Sequence, residues 1–315
     1  MNKDRKKIVN IISIIRCNSI YAQSFINQIS SLAEKNCEIG KIILICDDLI
    51  SSSAILSWAG LDERVVLVQE HANDHISDSI EDKTLQWADL ANQGVEGSML
   101  FKSDFTLFIE ADLCFPFDLV DELVMANLDI AAPVVFLGAG FYDSWGFRGL
   151  DGEKIQRVEN LSVFSPPIEL SSVGSCVLFR TEIFSRGVRF RGPYQTGLLV
   201  GVCNDARALG YQVWALSSLA IIHPTSSWRG QMWMIKKISV DIKGAAYILN
   251  TDYKIAGAYA EFMTEPMLEL FKNCPEIPFE EGEYRFIFYK NPKDRTIEVE
   301  VSNLLYSNSR FKFSI

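Results

Sequence analysis

The segment Phe105 to Pro116, FTLFIEADLCFP, constrains the fold most tightly, because five apolar or β-branched residues run directly into Glu110-Ala111-Asp112. An apolar run of that length, meeting two carboxylates and then a proline, reads as a buried strand that ends at a polar site. Side chains alternate along a strand, so Glu110 and Asp112, two apart, point the same way and offer their oxygens to one ligand. Two adjacent acids repel. A hard divalent cation, Mg²⁺ or Mn²⁺, held by one or two carboxylates and carrying substrate phosphates on its other positions, offsets that repulsion. The bland alternative is a pair of acids capping a surface strand.

The first half of the chain alternates strand and helix. Ile8–Ile15, Lys41–Cys46 and Arg64–Val68 read as strands, and Ser19–Lys35 as an amphipathic helix. A polar helix is expected over Ser79–Asn92, stopped by Asn92-Gln93-Gly94, with further elements at Phe117–Met125 (helix) and Ile130–Phe136 (strand). Such alternation predicts an α/β fold with a doubly wound, mixed but mostly parallel sheet. In such sheets ligands bind outside the carboxyl ends of the strands, where the acidic pair falls. Arg16-Cys17-Asn18 follows the first strand, and Asp47-Asp48 the second, at that same edge. One of the two aspartates is then a turn former before Ser51-Ser52-Ser53.

Composition narrows the partners. With 30 basic and 40 acidic residues among 315, the net charge is −10, which argues against a broad nucleic-acid footprint or an anionic membrane surface. Cys17, Cys37, Cys46, Cys114, Cys176, Cys203 and Cys274 lack CxxC spacing and several sit in apolar runs, as reduced core-filling cysteines do. Lys3, Arg5, Lys6 and Lys7 precede an apolar stretch, but Ile8–Ile15 is short, interrupted by Asn10 and Ser13, and closed by Arg16, unlike a signal peptide. No window reaches the length of a transmembrane segment, so a cytoplasmic location is expected.

The stretch FIEADLCFPFDLVDELVMANLDIAAPVV resembles the metal-binding segment of nucleotide-sugar-dependent glycosyltransferases with the GT-A fold, where Asp-x-Asp ends a strand. Here Glu110 replaces the first acid. The resemblance implies a donor site in which Glu110 touches the metal or the donor's hydroxyls, Arg16, Asn18 and Asp47 or Asp48 hold base and ribose, and Lys83 faces the diphosphate. Downstream, GAGFYDSWGFRGLDGEK crowds Tyr142, Asp143, Trp145 and Arg148 among glycines, the composition of a sugar-binding lip in which rings stack on sugar faces and polar groups bond hydroxyls. Tyr-Asp-x-Trp followed by Arg and Asp-Gly is similar to a loop of fungal Golgi polymannose-complex and capsule-associated α-mannosyltransferases, over roughly Phe105 to Phe190. A structural Ω-loop packed by its own aromatics is the competing view.

Leu170–Arg180 reads as one strand, and it resembles the acceptor-lining segment of these enzymes, with Gly174 and Ser175 admitting close approach of a sugar. Arg186, Arg189 and Arg191 form a basic cluster facing either phosphates or solvent. Asn204-Asp205 reads as the start of a short helix ended by Gly210, and the resemblance makes Asp205 a general base or acceptor ligand. In the resembled enzymes a histidine after the next strand completes the metal site, and the resemblance gives that place, with Asp112 and Glu110, to His223, which closes an apolar run before Pro224. A C-terminal extension, residues 231–315, is expected to follow a catalytic domain of residues 1–230. It should carry helices at Gln231–Leu249 and Ala256–Lys272 and a hairpin of Tyr284–Tyr289 with Thr296–Val301.

Together these features predict a metal-dependent glycosyltransferase that moves a sugar from a nucleotide-sugar donor to a glycan or other hydroxyl acceptor. Asp205 or Asp143 would orient or deprotonate the acceptor. The alternatives are a nucleotidyltransferase, although no glycine-rich basic loop follows the first strand, and a non-catalytic carbohydrate-binding protein. The oligomeric state is not legible in the sequence.

Overall fold

The computed structural model describes residues 5–15, 21–46, 53–69, 80–137, 140–155, 166–192, 197–223, 232–243, 246–250, 282–291, 296–302 and 309–314. The order begins β1 (Lys7–Ile15), α1 (Tyr21–Ser30), β2 (Cys37–Cys46), α2 (Ser53–Leu61), β3 (Val65–Gln69), α3 (Ile80–Met99), β4 (Phe105–Ile109) and α4 (Leu119–Met125). It continues through β5 (Ile130–Leu137), β6 (Gly140–Phe141), β7 (Ile168–Leu170), β8 (Cys176–Arg180), α5 (Thr181–Ser185), α6 (Leu198–Ala208) and β9 (Val213–Ile222).

These strands form a nine-stranded sheet in the order β3-β2-β1-β4-β8-β5-β9-β7, with β6 paired to β5. From the pairings, β1, β2, β3, β4, β5 and β9 run one way and β6, β7 and β8 the other. The fold is therefore α/β with a mixed, mostly parallel sheet, as the alternation of elements predicts.

The helices divide between its faces because the strand side chains alternate. Val9, Ile11, Ile42, Leu44, Leu107 and Ile109 pack with Phe25, Trp58 and Leu123 of α1, α2 and α4. Ile12, Ile43, Ile45 and Phe108 point the other way, into Ala91, Phe184 and Val202 of α3, α5 and α6. The sheet is thus doubly wound.

Three irregularities have local causes. Between β1 and β2 the register shifts at Val9/Ile11, where the buried Asn10 side chain accepts from Lys41 N at 2.8 Å and donates to Ser98 O at 3.1 Å. Between β5 and β9 it shifts at Pro133/Val134, where a proline has no N–H to give the ladder. α3 runs through Gly94 to Met99 rather than stopping at Asn92-Gln93-Gly94. A Cβ on Gly94 would run into the Ile12 side chain, so that glycine lets the helix lie close on the sheet, and packing overrides its role as a stop signal.

Leu170–Arg180 is likewise not one strand: β7 ends at Leu170, and 171–175 form a turn before β8. The C-terminal residues form a separate five-stranded antiparallel sheet, β11-β10-β12-β13-β14, from β10 (Met232–Lys243), β11 (Ala246–Asn250), β12 (Gly282–Asn291), β13 (Thr296–Ser302) and β14 (Ser309–Ser314). The hairpin expected there is β12 paired with β13. The helix expected over Gln231–Leu249 is instead β10 and β11, and the alternation Ile238, Val240, Ile242 is the period-2 signal that decides it. Ala256–Lys272 lies outside the described residues. No helix among the described residues is long and apolar enough to cross a membrane.

Candidate active site

Four segments meet at the edge where β4, β5 and β9 end and β8 begins. The chain leaves β4 at Ile109 into a turn in which Leu113 N donates to Glu110 O at 3.3 Å. Glu110 and Asp112 therefore converge in a turn just past the strand, not by strand alternation as expected. His223 follows β9, and its Nε2 lies 3.1 Å from Asp112 Oδ2. Ligand atoms of Glu110, Asp112 and His223 all lie within 4.8 Å of one another.

The His223 ring stacks on Tyr142, centroids 3.9 Å apart and 17° from parallel. Gln28 of α1 pins the chain after Asp112 by donating to Leu113 O at 3.2 Å and accepting from Phe115 N at 2.8 Å. A lone glutamine on a helix, 85 to 87 residues from its partners, gives no sequence signal for that role.

Asp143 is 6% exposed. Ser175 Oγ donates to its Oδ1 at 2.5 Å, while Oδ2 is buried with no partner among the described residues. Burial pushes the Asp143 carboxyl up to about 7, against the opposing pull of the Ser175 hydrogen bond and the His223 charge. Burial first, then the charges of Asp143 and Asp112, hold Glu110 well above the usual carboxylate range, while a Ser175 hydrogen bond pulls it down. Burial also raises the Tyr142 phenol.

Three carboxylates and one imidazole in so small a space form a set short of positive charge. His223 Nδ1 is a second buried polar atom with no partner among the described residues. Hard oxygens with one imidazole nitrogen suit Mn²⁺ or Mg²⁺, so the residues fit a divalent cation.

Gly174 and Ser175, expected to line an acceptor, are buried and support Asp143 instead. A Cβ on Gly174 would lie 3.0 Å from the Asp143 Cγ and Oδ1. Trp145 is 58% exposed beneath Lys154, whose Nζ sits 3.6 Å from the ring centroid. Arg148 braces its own loop, donating to Gly152 O at 3.0 Å.

Asp205 does not begin a helix. α6 starts at Leu198 with no acid in its first turn, because the apolar face Val200, Val202, Cys203 and Ala206 extends the helix toward the N-terminus. Asp205 falls near its C-terminal end, ion-paired with Arg191. β9 then advances along β5 from Ile130 to Phe136, six steps or about 20 Å at 3.3 Å each, before His223, so Asp205 lies toward the opposite edge of the sheet. The basic cluster is also spoken for: Arg189 donates to Phe184 O and Val188 O, each at 2.8 Å, and Arg186 lies over Tyr211.

β1 and β2 end at the same edge as β4, but Arg16, Asn18, Asp47 and Asp48 lie outside the described residues. Lys83 falls in the first turn of α3, its side chain outside what is described.

No family model and no curated protein matches the chain. Among solved structures it is similar to the mannosyltransferase PcManGT from Pyrobaculum calidifontis in complex with GDP-Man and Mn²⁺, at 11% identity over 70% of this chain and 57% of that one, TM-score 0.45. It is also similar to S. aureus TarS 1-349 in complex with UDP-GlcNAc, at 12% identity over 71% and 59%, TM-score 0.46. The same TarS fragment in complex with UDP gives 12% over 70% and 61%, TM-score 0.45. The chain thus spans 57% to 61% of the length of those chains. At these identities and scores the likeness carries nothing about ligand or reaction.

Proposed function

We propose that the chain is a metal-dependent glycosyltransferase moving a sugar from a nucleotide-sugar donor to a hydroxyl of a glycan or other acceptor, with mannosyl transfer as the finer form. The carrying observation is the convergence of Glu110, Asp112 and His223, from segments over 100 residues apart, at the carboxyl end of β4. β4 and β2 flank β1 on opposite sides, so the strand order reverses there. That switch point is where an open α/β sheet takes a nucleotide.

Asp112, His223 and Glu110 would hold the cation, Mn²⁺ or Mg²⁺, which when bound neutralises charge developing on the departing diphosphate. Asp143, with Oδ2 free of protein partners among the described residues, orients the acceptor hydroxyl by accepting its proton in a hydrogen bond. Tyr142 stiffens His223 from one face, and Trp145 offers an exposed ring to a sugar. Arg16, Asn18, Asp47 or Asp48, and Lys83 complete the donor site in this proposal. A catalytic unit of residues 1–230 and a cytoplasmic location belong to it as well.

The test is thermal unfolding against UDP, GDP and CMP with and without Mn²⁺. A ligand at 100 times its Kd adds about 2.7 kcal/mol to the folded state. The expected result is a rise with one nucleotide that requires Mn²⁺ and disappears in Asp112→Asn. No rise with any nucleotide overturns the proposal, and pyrophosphate release from a nucleoside triphosphate would replace it with nucleotidyl transfer.

A further inference from the structure

We propose that Ser175 is the positioning residue of the cation site, holding the Glu110 backbone through its carbonyl and the Asp143 carboxylate through its hydroxyl. The assignment rests on a cation being held by Glu110, Asp112 and His223.

Ser175 is 3% exposed and has φ +48°, a left-handed conformation that residues with a Cβ rarely adopt. Cys176 N donates to Gly174 O at 2.6 Å, closing a three-residue turn on Ser175. The turn aims both polar groups of the serine into the site. Its carbonyl accepts the Glu110 N–H at 3.0 Å, which fixes the backbone of a metal-set residue. Its hydroxyl donates to Asp143 Oδ1 at 2.5 Å. One serine thus fixes a residue of the metal set through its carbonyl and the carboxylate beside it through its hydroxyl. Gly174 supports the arrangement, since the space a side chain would need there is filled by the Asp143 carboxylate.

A glycine would meet every backbone requirement of this turn without strain. What serine adds is the hydroxyl. With the hydroxyl gone, the buried Asp143 carboxylate loses its donor and is free to turn toward Glu110, which disturbs the set that would hold the cation. Groups that orient metal ligands typically cost 10- to 100-fold in metal affinity when removed.

The experiment is a titration with Mn²⁺ alone of wild type and Ser175→Gly, free Mn²⁺ being read by electron paramagnetic resonance, with melting temperatures in EDTA alongside. The assignment expects Ser175→Gly to remain folded in EDTA, the relief of strain at φ +48° offsetting part of the lost hydrogen bond, and to bind Mn²⁺ about 10- to 100-fold more weakly. Should that variant unfold, Ser175→Ala keeps the Cβ that the turn already accommodates, removes only the hydroxyl and serves the same comparison. Wild-type binding of Mn²⁺ with an unchanged affinity in the variants overturns the role of Ser175 and leaves the cation site standing. A wild type that does not bind Mn²⁺ overturns the cation site, and Ser175 with it.

Discussion

Gly146→Ala tests how closely the aromatic loop is seated on the turn that carries Ser175. Gly146 is not among the glycines with positive φ, so space rather than backbone conformation excludes a side chain. An added Cβ would lie 2.8 Å from Gly174 Cα, 3.0 Å from Val173 O and 3.1 Å from Gly174 N. Carbon atoms in contact sit about 3.5–4.0 Å apart, so the two segments must part by about 0.7–1.2 Å. Neither side yields cheaply. Gly146 O accepts from Ser172 Oγ at 2.5 Å, and the neighbouring Phe147 is fully buried, edge-on to Phe141 with centroids 5.1 Å apart. Overpacking of this kind costs about 1–3 kcal/mol, and the lower entropy of an unfolded alanine returns about 0.4–1 kcal/mol. Taken at the middle of each range, the net is about 1.3 kcal/mol, or about 3–5 °C in melting temperature for a domain of this size. Displacement of Gly174 carries Ser175 with it, so the Mn²⁺-dependent rise in melting temperature should shrink too. A melting temperature within about 1 °C of wild type, with the Mn²⁺ response intact, would refute the close packing inferred for this contact.

Asp205→Asn should retain transfer activity and lower the melting temperature little, because the residue pairs with the exposed Arg191 away from the cation set; loss of turnover at unchanged stability would return Asp205 to the reaction. Asp62 is held below its ordinary value of 3.8, chiefly by its hydrogen bond to Arg64. Its contribution is therefore present above pH 3.8 and fades as pH falls through the lowered value; for a partly exposed pair it amounts to about 1 kcal/mol or less. Denaturant unfolding of Asp62→Asn should show a deficit at pH 7 that closes in acid, and a deficit that widened in acid would reverse the sign. Phe147→Leu and Phe179→Leu remove comparable fully buried rings from one cluster and should each cost about 1–3 kcal/mol. Only Phe147→Leu should also weaken the Mn²⁺ response, since Phe147 anchors the loop of Asp143; equal effects of both on that response would sink the anchoring argument.

Strand ends were legible in the sequence because short β-branched runs have few alternatives, and every acid or histidine just past such a run was a candidate. That logic placed Glu110, Asp112 and His223 at one edge, and the structure brings their ligand atoms together. It misjudged Asp205 because Asn-Asp resembles a helix start, whereas the apolar face that sets the true start begins at Leu198. Gly94 and Gly174 illustrate a different limit. Each looked like a local conformational or access signal, and each is instead a place where another segment approaches, Ile12 in one case and the Asp143 carboxylate in the other. A sequence records that a side chain is missing and not what occupies its space.

The site owes its shape to a division within the sheet. β8 stays paired with β4 up to Ile109↔Cys176, but it meets β5 only at Ile130↔Phe179 and Ala131↔Leu178. β5 then continues with β9 as far as Phe136↔Ile222. Past Ala131 the two halves of the sheet therefore share no ladder. The loop that follows β6 fills that gap: Phe147 is buried, Arg148 N donates to Ser172 O at 3.2 Å, and Ser171 N donates to Arg148 O at 2.9 Å. In a regular sheet Glu110 and His223, three strand positions apart, would stand about 14 Å from each other at 4.8 Å per strand. Their ligand atoms come within 4.8 Å of one another, the gap being closed by the reach of the two side chains from irregular backbone, Glu110 in the turn after β4 and His223 beyond the register shift opposite Pro133. A bulge bends its strand and increases the local twist. The grouping of Glu110, Asp112 and His223 thus draws on irregular positions of the sheet, and Pro133, Gly146, Gly174 and Ser175, which shape those positions, bear on the proposed cation site together with the three residues themselves.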